Sequence, residues 1–317
     1  MTSSIVVFHA DADEARAVLE PRLSREQVHY VDNPKDIATA LGTHQPEVAF
    51  TLKSAGMPGP ALRQVMLSES VRWVYVGGSG YDHLLPLDNP QIRVSNAAGV
   101  LAPHLAETVT GAILALNGNF LRYRDQQLDR SWTPQRFVPL NGRTLLVVGL
   151  GHIGELVARN AKHLGMRVLA TRRRVEPHPH VDAVHTTEAL YELLPEADFV
   201  SLHVRLTPDT HHLFDESRFS RMRPGSYFIN TARGPVADEA ALVRALDQHL
   251  AGAYLDVFET EPLPGDSPLW HRPDVLVTPH AADNIVGWEQ QFLAHFADNV
   301  QRFRSGEPVQ NLVPTQA

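Results

Sequence analysis

The chain has 317 residues, no cysteine and a formal net charge of −8 at pH 7. A length of this order favours about two domains, and the missing cysteines exclude disulfides, thiolate metal sites and thiol nucleophiles. The acidic balance argues against a nucleic-acid partner, and no apolar run approaches the ~18 residues that a membrane span needs. We therefore expect a cytoplasmic protein without a nucleic-acid or membrane partner.

The first part of the chain alternates between apolar runs of strand length and segments with helical spacing. The apolar runs predict strands at residues 5–8, 28–31, 47–52, 71–76 and 92–94. The segments between them predict helices at residues 13–23, 34–41 and 59–67. Such alternation is typical of a parallel sheet that is covered by helices on both faces.

A long apolar helix is predicted next, at residues 103–121, and a polar stretch at 119–141 is typical of an arm or a connection. A second series of strands is predicted at residues 143–148, 168–171, 183–186, 199–204, 226–230, 253–257 and 275–278, with a last helix at 288–304. We therefore predict two doubly wound parallel-sheet α/β domains. Their predicted bounds are 1–97 with 286–317 for a substrate domain, and 98–285 for a dinucleotide-binding domain.

A Gly-x-Gly-x-x-Gly motif directly follows the first strand of the second series. This position, between a buried strand and the start of a helix, is typical of a dinucleotide site. Gly149 permits the tight turn, Gly151 has no Cβ to block a pyrophosphate, and Gly154 lets the helix pack close to the strand. The backbone N–H groups of His152 and Ile153 then face the anion at the positive end of the helix.

The end of the next strand indicates which dinucleotide is bound. A carboxylate that binds the ribose is expected about 20 residues after the motif. The sequence has none there, and Arg172 and Arg173 follow Thr171 directly. Because guanidinium groups bind a 2′-phosphate and a carboxylate would repel it, we predict that NADP(H) is preferred. The alternative is a solvated basic loop, so binding of NAD(H) remains possible.

Charged side chains follow three later strands of the same predicted sheet. Arg233 follows one strand, the acidic residues Asp256, Glu259 and Glu261 follow the next, and His280 follows the last. Ligands of open α/β sheets bind at the carboxyl ends of the strands. A guanidinium can hold the carboxylate of a 2-oxo acid, and an imidazole can protonate its carbonyl oxygen. A carboxylate beside the imidazole would favour the charged, proton-donating form.

The order of these motifs resembles that of the D-isomer-specific 2-hydroxyacid dehydrogenases, which include glyoxylate/hydroxypyruvate reductases. The resemblance covers residues 77–313, whereas residues 1–70 match only in pattern. It implies a Rossmann dinucleotide-binding domain that is inserted in a flavodoxin-like substrate domain. It also implies that Arg233, Glu261 and His280 are the catalytic residues, since the pattern Asp-x-x-x-x-Glu-Pro selects Glu261 and not Glu259.

Further site residues follow from position and from the resemblance. The turn after the strand at 71–76 contains Gly78, Ser79 and Gly80, whose N–H groups can bind the substrate carboxylate as a small nest. The resemblance implies the same role for this turn. It also implies cofactor contacts for three residues of the second domain: Thr108, Ala232 through its backbone, and Asp256. For Asp256 a capping role is the alternative.

The predicted function is NADPH-dependent reduction of a small 2-oxo acid, similar to glyoxylate or hydroxypyruvate, to the D-2-hydroxy acid. In this prediction His280 donates the proton, Glu261 is its partner and Arg233 binds the substrate carboxylate. The enzymatic alternatives are a phosphonate dehydrogenase or another small-acid dehydrogenase of the same fold. An alternative from another class is a non-catalytic NAD(P)-sensing protein that is similar to the corepressors of this fold.

Partners and metals can also be addressed from the sequence. The apolar helix at 103–121 and the arm with Trp132 are typical of an interface, and the family forms dimers about this region, so we predict a homodimer. The alternative is that Trp132 packs within its own domain. None of the 17 histidines has a His-x-x-x-His spacing with a third ligand, so no metal site is predicted.

Overall fold

The structure is a computed structural model that describes residues 4–23, 27–87 and 89–314. Within these ranges the strands are β1 (Ser4–Phe8), β2 (Gln27–Val31), β3 (Val48–Thr51), β4 (Trp73–Val76), β5 (Arg93–Asn96), β6 (Thr144–Val148), β7 (Arg167–Thr171), β8 (Ala183–His185), β9 (Phe199–Leu202), β10 (Tyr227–Asn230), β11 (Gly252–Leu255) and β12 (Val275–Val277).

The α-helices of the same ranges lie between these strands. They are α1 (Ala12–Leu19), α2 (Ile37–His44), α3 (Gly59–Leu62), α4 (Ala102–Asn117), α5 (Phe120–Leu128), α6 (His152–His163), α7 (Leu190–Leu193), α8 (Glu216–Arg221), α9 (Glu239–Gln248) and α10 (Trp288–Ser305). The chain divides into two compact units, one of Met1–Leu101 with Ile285–Ala317 and the other of Ala102–Asn284.

The first unit contains a five-stranded parallel sheet in the order β2-β1-β3-β4-β5. The chain moves to one side after β1 and to the other side after β2, so the order reverses between β1 and β3. This is the flavodoxin-like order, in which ligands bind beside β1 and β3. Every residue of β3 and β4 is buried, as expected for parallel strands with helices on both faces.

The last helix of the chain completes the core of the first unit. Phe296 of α10 is fully buried, and its ring centroid lies 5.2 Å from that of Phe50 in β3 and 5.8 Å from that of Trp73 in β4. Burial of aromatic side chains of this size stabilises a domain strongly. The C-terminal helix therefore belongs to the fold of the first unit although the second unit intervenes in sequence.

The second unit contains a seven-stranded parallel sheet in the order β12-β11-β10-β9-β6-β7-β8. The order reverses between β6 and β9, which is the switch point of a Rossmann sheet. All residues of β6 are buried, and the glycine motif follows this strand directly. The two doubly wound parallel-sheet domains predicted from the sequence are thus confirmed.

The region between the two sheets differs from the sequence prediction in detail. The predicted helix at 103–121 ends at Asn117, and the polar stretch after it contains the helix α5. Asn119 has a φ of 58°, a left-handed conformation that ends an α-helix, and Gly118 precedes it. Trp132 is 94% exposed, so the alternative that it packs within its own domain is wrong for this chain.

No helix of the part of the chain that the structure describes is both long enough and apolar enough to span a membrane.

Candidate active site

The glycine motif forms a tight turn between β6 and α6. Gly149 has a φ of 101°, and a Cβ there would lie 2.8 Å from the carbonyl oxygen of His203. A Cβ on Gly154 would lie 2.2 Å from the carbonyl oxygen of Gly149. Both positions therefore require glycine for backbone approach, as the motif predicts. A Cβ on Gly151 would meet nothing within 4 Å, so open space lies over this residue.

The start of α6 fits an anion. Gly151 is the N-cap residue and supplies no side-chain hydrogen bond to the helix. In the hydrogen bonds described for this part of the chain, the backbone N–H groups of His152 and Ile153 have no acceptor. Free N–H groups at a helix N-terminus, together with the helix dipole, favour a phosphate. This turn therefore fits the pyrophosphate of a dinucleotide, because an open face and free donors coincide there.

The arginines that the sequence places after β7 lie beside this turn. The backbone N–H groups of Gly149 and Leu150 donate to the carbonyl oxygen of Thr171, at 3.2 and 2.9 Å. Arg172 follows directly and is held only loosely, with its guanidinium 3.9 Å from Glu155. Arg173 is exposed. Both arginines thus belong to the segment that follows the end of β7, and phosphate binding by their guanidinium groups stays a prediction.

Thr171 itself is 1% exposed, and its hydroxyl oxygen has no hydrogen-bond partner among the described residues. Residue 171, at the end of β7, therefore offers neither a carboxylate nor an exposed side chain to the ribose hydroxyls of a dinucleotide.

Glu261 and His280 form a hydrogen-bonded pair. Nδ1 of His280 lies 2.7 Å from Oε2 of Glu261, and the side chains are 48% and 36% exposed. The other carboxylate oxygen, Oε1, accepts a hydrogen bond of 3.0 Å from the N–H of Phe258. The carboxylate is therefore fixed from both sides, and it fixes the imidazole. With Nδ1 engaged, Nε2 is the ring atom that can carry a proton to a substrate.

Arg233 is carried by a loop that packs against the loop of Glu261. A Cβ on the next residue, Gly234, would lie 1.9 Å from the carbonyl carbon and oxygen of Phe258, so only glycine permits this approach. The amide of Asn230 holds the loop from within: its Oδ1 accepts from the N–H of Ala232 at 3.0 Å, and its Nδ2 donates to the carbonyl of Arg233 at 3.1 Å. The strand ends of β10 and β11 are thereby joined.

The buried carboxylate of Asp256 positions the His280 loop. Its Oδ1 accepts hydrogen bonds from the Thr278 hydroxyl at 2.5 Å and from the N–H of Ala281 at 2.8 Å, and the N–H of Ala282 lies 3.1 Å away. His280 has a φ of 49°, a left-handed conformation that costs free energy for a residue other than glycine. Asp256 therefore has the capping role that the sequence left open, and its cofactor contact stays a prediction.

Asp283 adds a second acidic side chain to this loop. Burial is the main cause that raises the pKa of its carboxyl, and Asp256 raises it further, whereas His280 and Arg233 lower it. These influences place Asp283 within electrostatic range of two predicted catalytic residues. No sequence pattern selects Asp283, and the sequence analysis also missed Asn230 as a positioning residue. The one sequence signal for Asn230 is its position at the end of a predicted strand, three residues before Arg233.

Thr108 makes two hydrogen bonds within the second unit. Its hydroxyl lies 3.1 Å from the carbonyl oxygen of His104 and 2.9 Å from that of Ala282, so the two acceptors share its one proton. The side chain thus connects α4 to the loop that follows His280. The cofactor contacts predicted for Thr108 and for the backbone of Ala232 stay predictions.

The predicted carboxylate nest lies in the first unit, after β4. Gly78 has a φ of 147°, and its carbonyl accepts from the N–H of Ala97 at 2.9 Å. The Ser79 carbonyl accepts from the amide of Asn96 at 2.7 Å. Both contacts use carbonyl oxygens, and none of the hydrogen bonds described for this turn uses the N–H groups of Gly78, Ser79 or Gly80. The turn is therefore held with its donors free, as an anion nest requires.

Comparison with known proteins gives consistent matches. Residues 110–282 match the family model described as D-isomer specific 2-hydroxyacid dehydrogenase, NAD binding domain. The chain is 38% identical over 247 residues to a glyoxylate reductase of Korarchaeum cryptofilum, which covers 74% of this chain and 73% of that protein. It is 30% identical over 327 residues to glyoxylate/hydroxypyruvate reductase B of Enterobacter sp.. That alignment covers 99% of this chain and 98% of the reductase.

The solved structures include a similar fold with a nucleotide. The NADPH-dependent glyoxylate/hydroxypyruvate reductase of Sinorhizobium meliloti, in complex with NADP and sulfate, is 25% identical and has a TM-score of 0.83. The similarity covers 99% of each chain.

Two alanine substitutions in the glycine turn separate folding from nucleotide binding. Gly151→Ala should leave the thermal unfolding midpoint nearly unchanged, because its Cβ points into open space. It should weaken nucleotide binding at least about tenfold, because the methyl group occupies the side from which the pyrophosphate approaches. Gly154→Ala should lower the unfolding midpoint as well, because its Cβ meets backbone.

The measurements are thermal unfolding by circular dichroism and titration of NADPH by its fluorescence. Gly265→Ala is the control, because this exposed glycine also lies in a turn, has no positive φ and leaves open space for a Cβ. Unchanged NADPH affinity in Gly151→Ala would contradict the placement of the pyrophosphate.

Proposed function

The chain belongs to the D-isomer specific 2-hydroxyacid dehydrogenase family, and we propose that it reduces a small 2-oxo acid such as glyoxylate or hydroxypyruvate to the D-2-hydroxy acid with NADPH. The observation that carries the proposal is the 2.7 Å pair of His280 and Glu261 beside the Arg233 loop. These groups follow the carboxyl ends of β10, β11 and β12, in the sheet whose β6 carries the glycine turn.

Each side chain has a distinct role in the proposed reaction. The guanidinium of Arg233 binds the carboxylate of the 2-oxo acid and polarises its carbonyl oxygen. Nε2 of His280 donates a proton to that oxygen as the carbon is reduced. Glu261 holds the imidazole through Nδ1, which leaves Nε2 to face the substrate oxygen. Bound NADPH supplies the hydride.

The preference for NADPH is proposed from charge at the end of β7. Arg172 and Arg173 offer two guanidinium groups beside the glycine turn, and Thr171 offers no carboxylate that would bind the ribose hydroxyls of NADH. The reductase of Sinorhizobium meliloti, which is NADPH-dependent, supports this choice. NAD(H) remains a weaker cofactor in the proposal, because the nicotinamide and the pyrophosphate are common to both dinucleotides.

In the first unit, the turn of Gly78, Ser79 and Gly80 is proposed as a further site for the substrate carboxylate. Its free N–H groups are the supporting observation.

A location in the cytoplasm stays a prediction. The test of the function as a whole is oxidation of NADPH by the purified protein with glyoxylate, hydroxypyruvate, pyruvate and phenylpyruvate, with phosphonate oxidation assayed in the reverse direction. Turnover confined to a phosphonate would contradict the proposal.

A homodimer is proposed from apolar side chains around α5. Large apolar residues between 114 and 138 are exposed in one region of the sequence: Leu114, Phe120, Leu128, Trp132, Phe137 and Val138. Trp132 is 94% exposed, and aromatic residues in such a position are typical of protein interfaces. A second copy of the chain is the proposed partner for this surface, as the family resemblance predicts.

Replacement of His280 and of Arg233 should affect different kinetic constants. His280→Ala should lower kcat by about 10²-fold or more with NADPH binding nearly unchanged, since only a positioned proton donor is lost. Arg233→Ala should lower kcat and also raise KM for the acid steeply, since the substrate carboxylate loses its charged partner. Steady-state kinetics at saturating NADPH measure both. His271→Ala, at an exposed histidine outside the site, is the control. Comparable turnover in His280→Ala would place the proton donor elsewhere.

Neutral residues at 172 and 173 should reduce the preference for NADPH. The wild type should have a kcat/KM for NADPH at least about tenfold that for NADH, because each charge-assisted contact to the 2′-phosphate adds to binding. Arg172→Ser with Arg173→Ser should bring the ratio close to one, while Thr171 stays unchanged because it is buried. Arg167→Ser, at the other end of β7, removes a charge without changing the ratio. A double variant with the wild-type ratio would show that these arginines are a solvated loop.

Sedimentation velocity tests the dimer. The wild type should sediment as a dimer at micromolar concentration, and Phe120→Ser with Trp132→Ser should shift it toward monomer, because buried aromatic groups dominate interface energetics. Trp270→Ser, which alters a tryptophan that is 46% exposed in another part of the chain, should leave the dimer intact. A monomeric wild type would remove the dimer proposal.

A further inference from the structure

Three potential metal ligands lie together in the first unit, and none of them belongs to the proposed catalytic residues. His9 directly follows β1, Glu14 is in the first turn of α1, and Glu289 is in the first turn of α10. One ligand atom from each residue lies within 4.8 Å of the others. The end of β1 is also where the strand order of this sheet reverses, which is the usual position of a ligand in an open α/β sheet.

The imidazole of His9 is buried and points into this cluster with an unused nitrogen. The residue is 1% exposed, and its Nδ1 is held by the backbone of Asp11, 2.7 Å from the carbonyl oxygen and 3.0 Å from the nitrogen. Its Nε2 is buried without a hydrogen-bond partner and lies 3.9 Å from Oε1 of Glu289. A buried polar atom without a partner costs free energy and is rare in folded proteins. A ligand to Nε2 would remove this cost.

The two carboxylates outnumber the cationic groups near them in the described part of the chain. Within the described ranges, no lysine or arginine nitrogen lies within ion-pair distance of Glu14 or Glu289. The Glu14 carboxylate lies 3.3 Å from the amide nitrogen of Gln290 and within hydrogen-bond reach of the Glu289 carboxylate. The cluster therefore has an excess of negative charge that a cation would neutralise.

We propose that His9, Glu14 and Glu289 bind one divalent transition-metal ion, preferentially Zn²⁺, which connects β1, α1 and α10. A neutral imidazole with two carboxylates is a ligand set for Zn²⁺ and its neighbours in the first row, whereas Mg²⁺ and Ca²⁺ prefer oxygen ligands alone. The backbone contact at Nδ1 orients the imidazole, which is the usual arrangement around a metal-bound histidine. The role is structural, because the ion joins the segment after the first strand to the C-terminal helix.

The separations between the three ligand atoms need only a small decrease to fit a bound Zn²⁺. Ligands about 2.1 Å from a tetrahedral Zn²⁺ lie about 3.4 Å from one another. His9 Nε2 and Glu289 Oε1 are at 3.9 Å, and the widest separation in the cluster is within 4.8 Å. Both glutamates are partly exposed side chains in first helical turns, so rotation about their side-chain bonds can close the difference while the buried imidazole stays in place.

The test is calorimetric titration of the full chain with Zn²⁺ at about pH 8, after treatment with a chelator, since metal ligands must be deprotonated to bind. Wild type should bind one Zn²⁺ that Glu14→Gln and Glu289→Gln each weaken at least about tenfold, since each variant removes a charged ligand but keeps the size of the side chain. His211→Asn and His280→Ala should keep this binding event, which separates it from exposed histidines and from the proposed catalytic pair. Mg²⁺ should not reproduce it.

Thermal unfolding provides a readout that is independent of activity. Zn²⁺ should raise the unfolding midpoint of wild type and of His211→Asn, but not that of either glutamine variant, because a ligand that binds only the folded state stabilises it. Unfolding scans without metal verify that both glutamine variants are folded. The proposal is overturned if the two glutamine variants bind Zn²⁺ with wild-type affinity. It is also overturned if all the Zn²⁺ binding of the wild type is lost in His280→Ala.

Discussion

The proposed active site depends on one buried carboxylate. Asp256, which is 2% exposed at the end of β11, accepts hydrogen bonds from the Thr278 hydroxyl and from the N–H groups of Ala281 and Ala282. The donors lie before and after His280 in the sequence, so these bonds maintain its left-handed backbone, which would otherwise be unfavourable. Several donors to one buried carboxylate hold the loop in the conformation that positions the imidazole. Without this anchor the pairing of His280 with Glu261 would lose its geometry.

The same edge of the sheet supports the other parts of the site for a general reason. Strands in a parallel sheet point their carboxyl ends in one direction, so the loops after β6, β7, β10, β11 and β12 emerge on one side. Helices begin on that side, and their free N–H groups favour anions. A phosphate-bearing cofactor and a carboxylate-bearing substrate are both anions. The architecture therefore favours their binding before any specific side chain is considered.

The first unit shows how a cluster can form from residues at opposite ends of the chain. His9 and Glu289 are separated by almost the whole sequence, and they meet because α10 returns to pack on the sheet that begins with β1. Phe296, on the same helix, fixes that return through the aromatic core. The position of the cluster is thus a consequence of core packing, whereas its chemistry depends on the few polar side chains at the helix starts.

The sequence by itself determined the local features of this protein. Apolar runs identified the strands, and the spacing of Gly149, Gly151 and Gly154 identified the turn, because both signals are encoded within a few neighbouring residues. The choice of Arg233, Glu261 and His280 came from the resemblance in motif order, and their catalytic roles stay predictions. Helix ends were less certain: the long helix ends at Asn117, where a glycine and a left-handed asparagine follow, although the apolar pattern continues.

Only the tertiary structure decided the features that depend on distant neighbours. The capping role of Asp256, the burial of Thr171 and the exposure of Trp132 each depend on which segments pack around them. Spacing rules for metal sites could not select His9 with Glu289, since they compare residues that are close in sequence. Burial and long-range contact result from the packing of whole elements, and a residue's own sequence neighbourhood does not record which element will cover it.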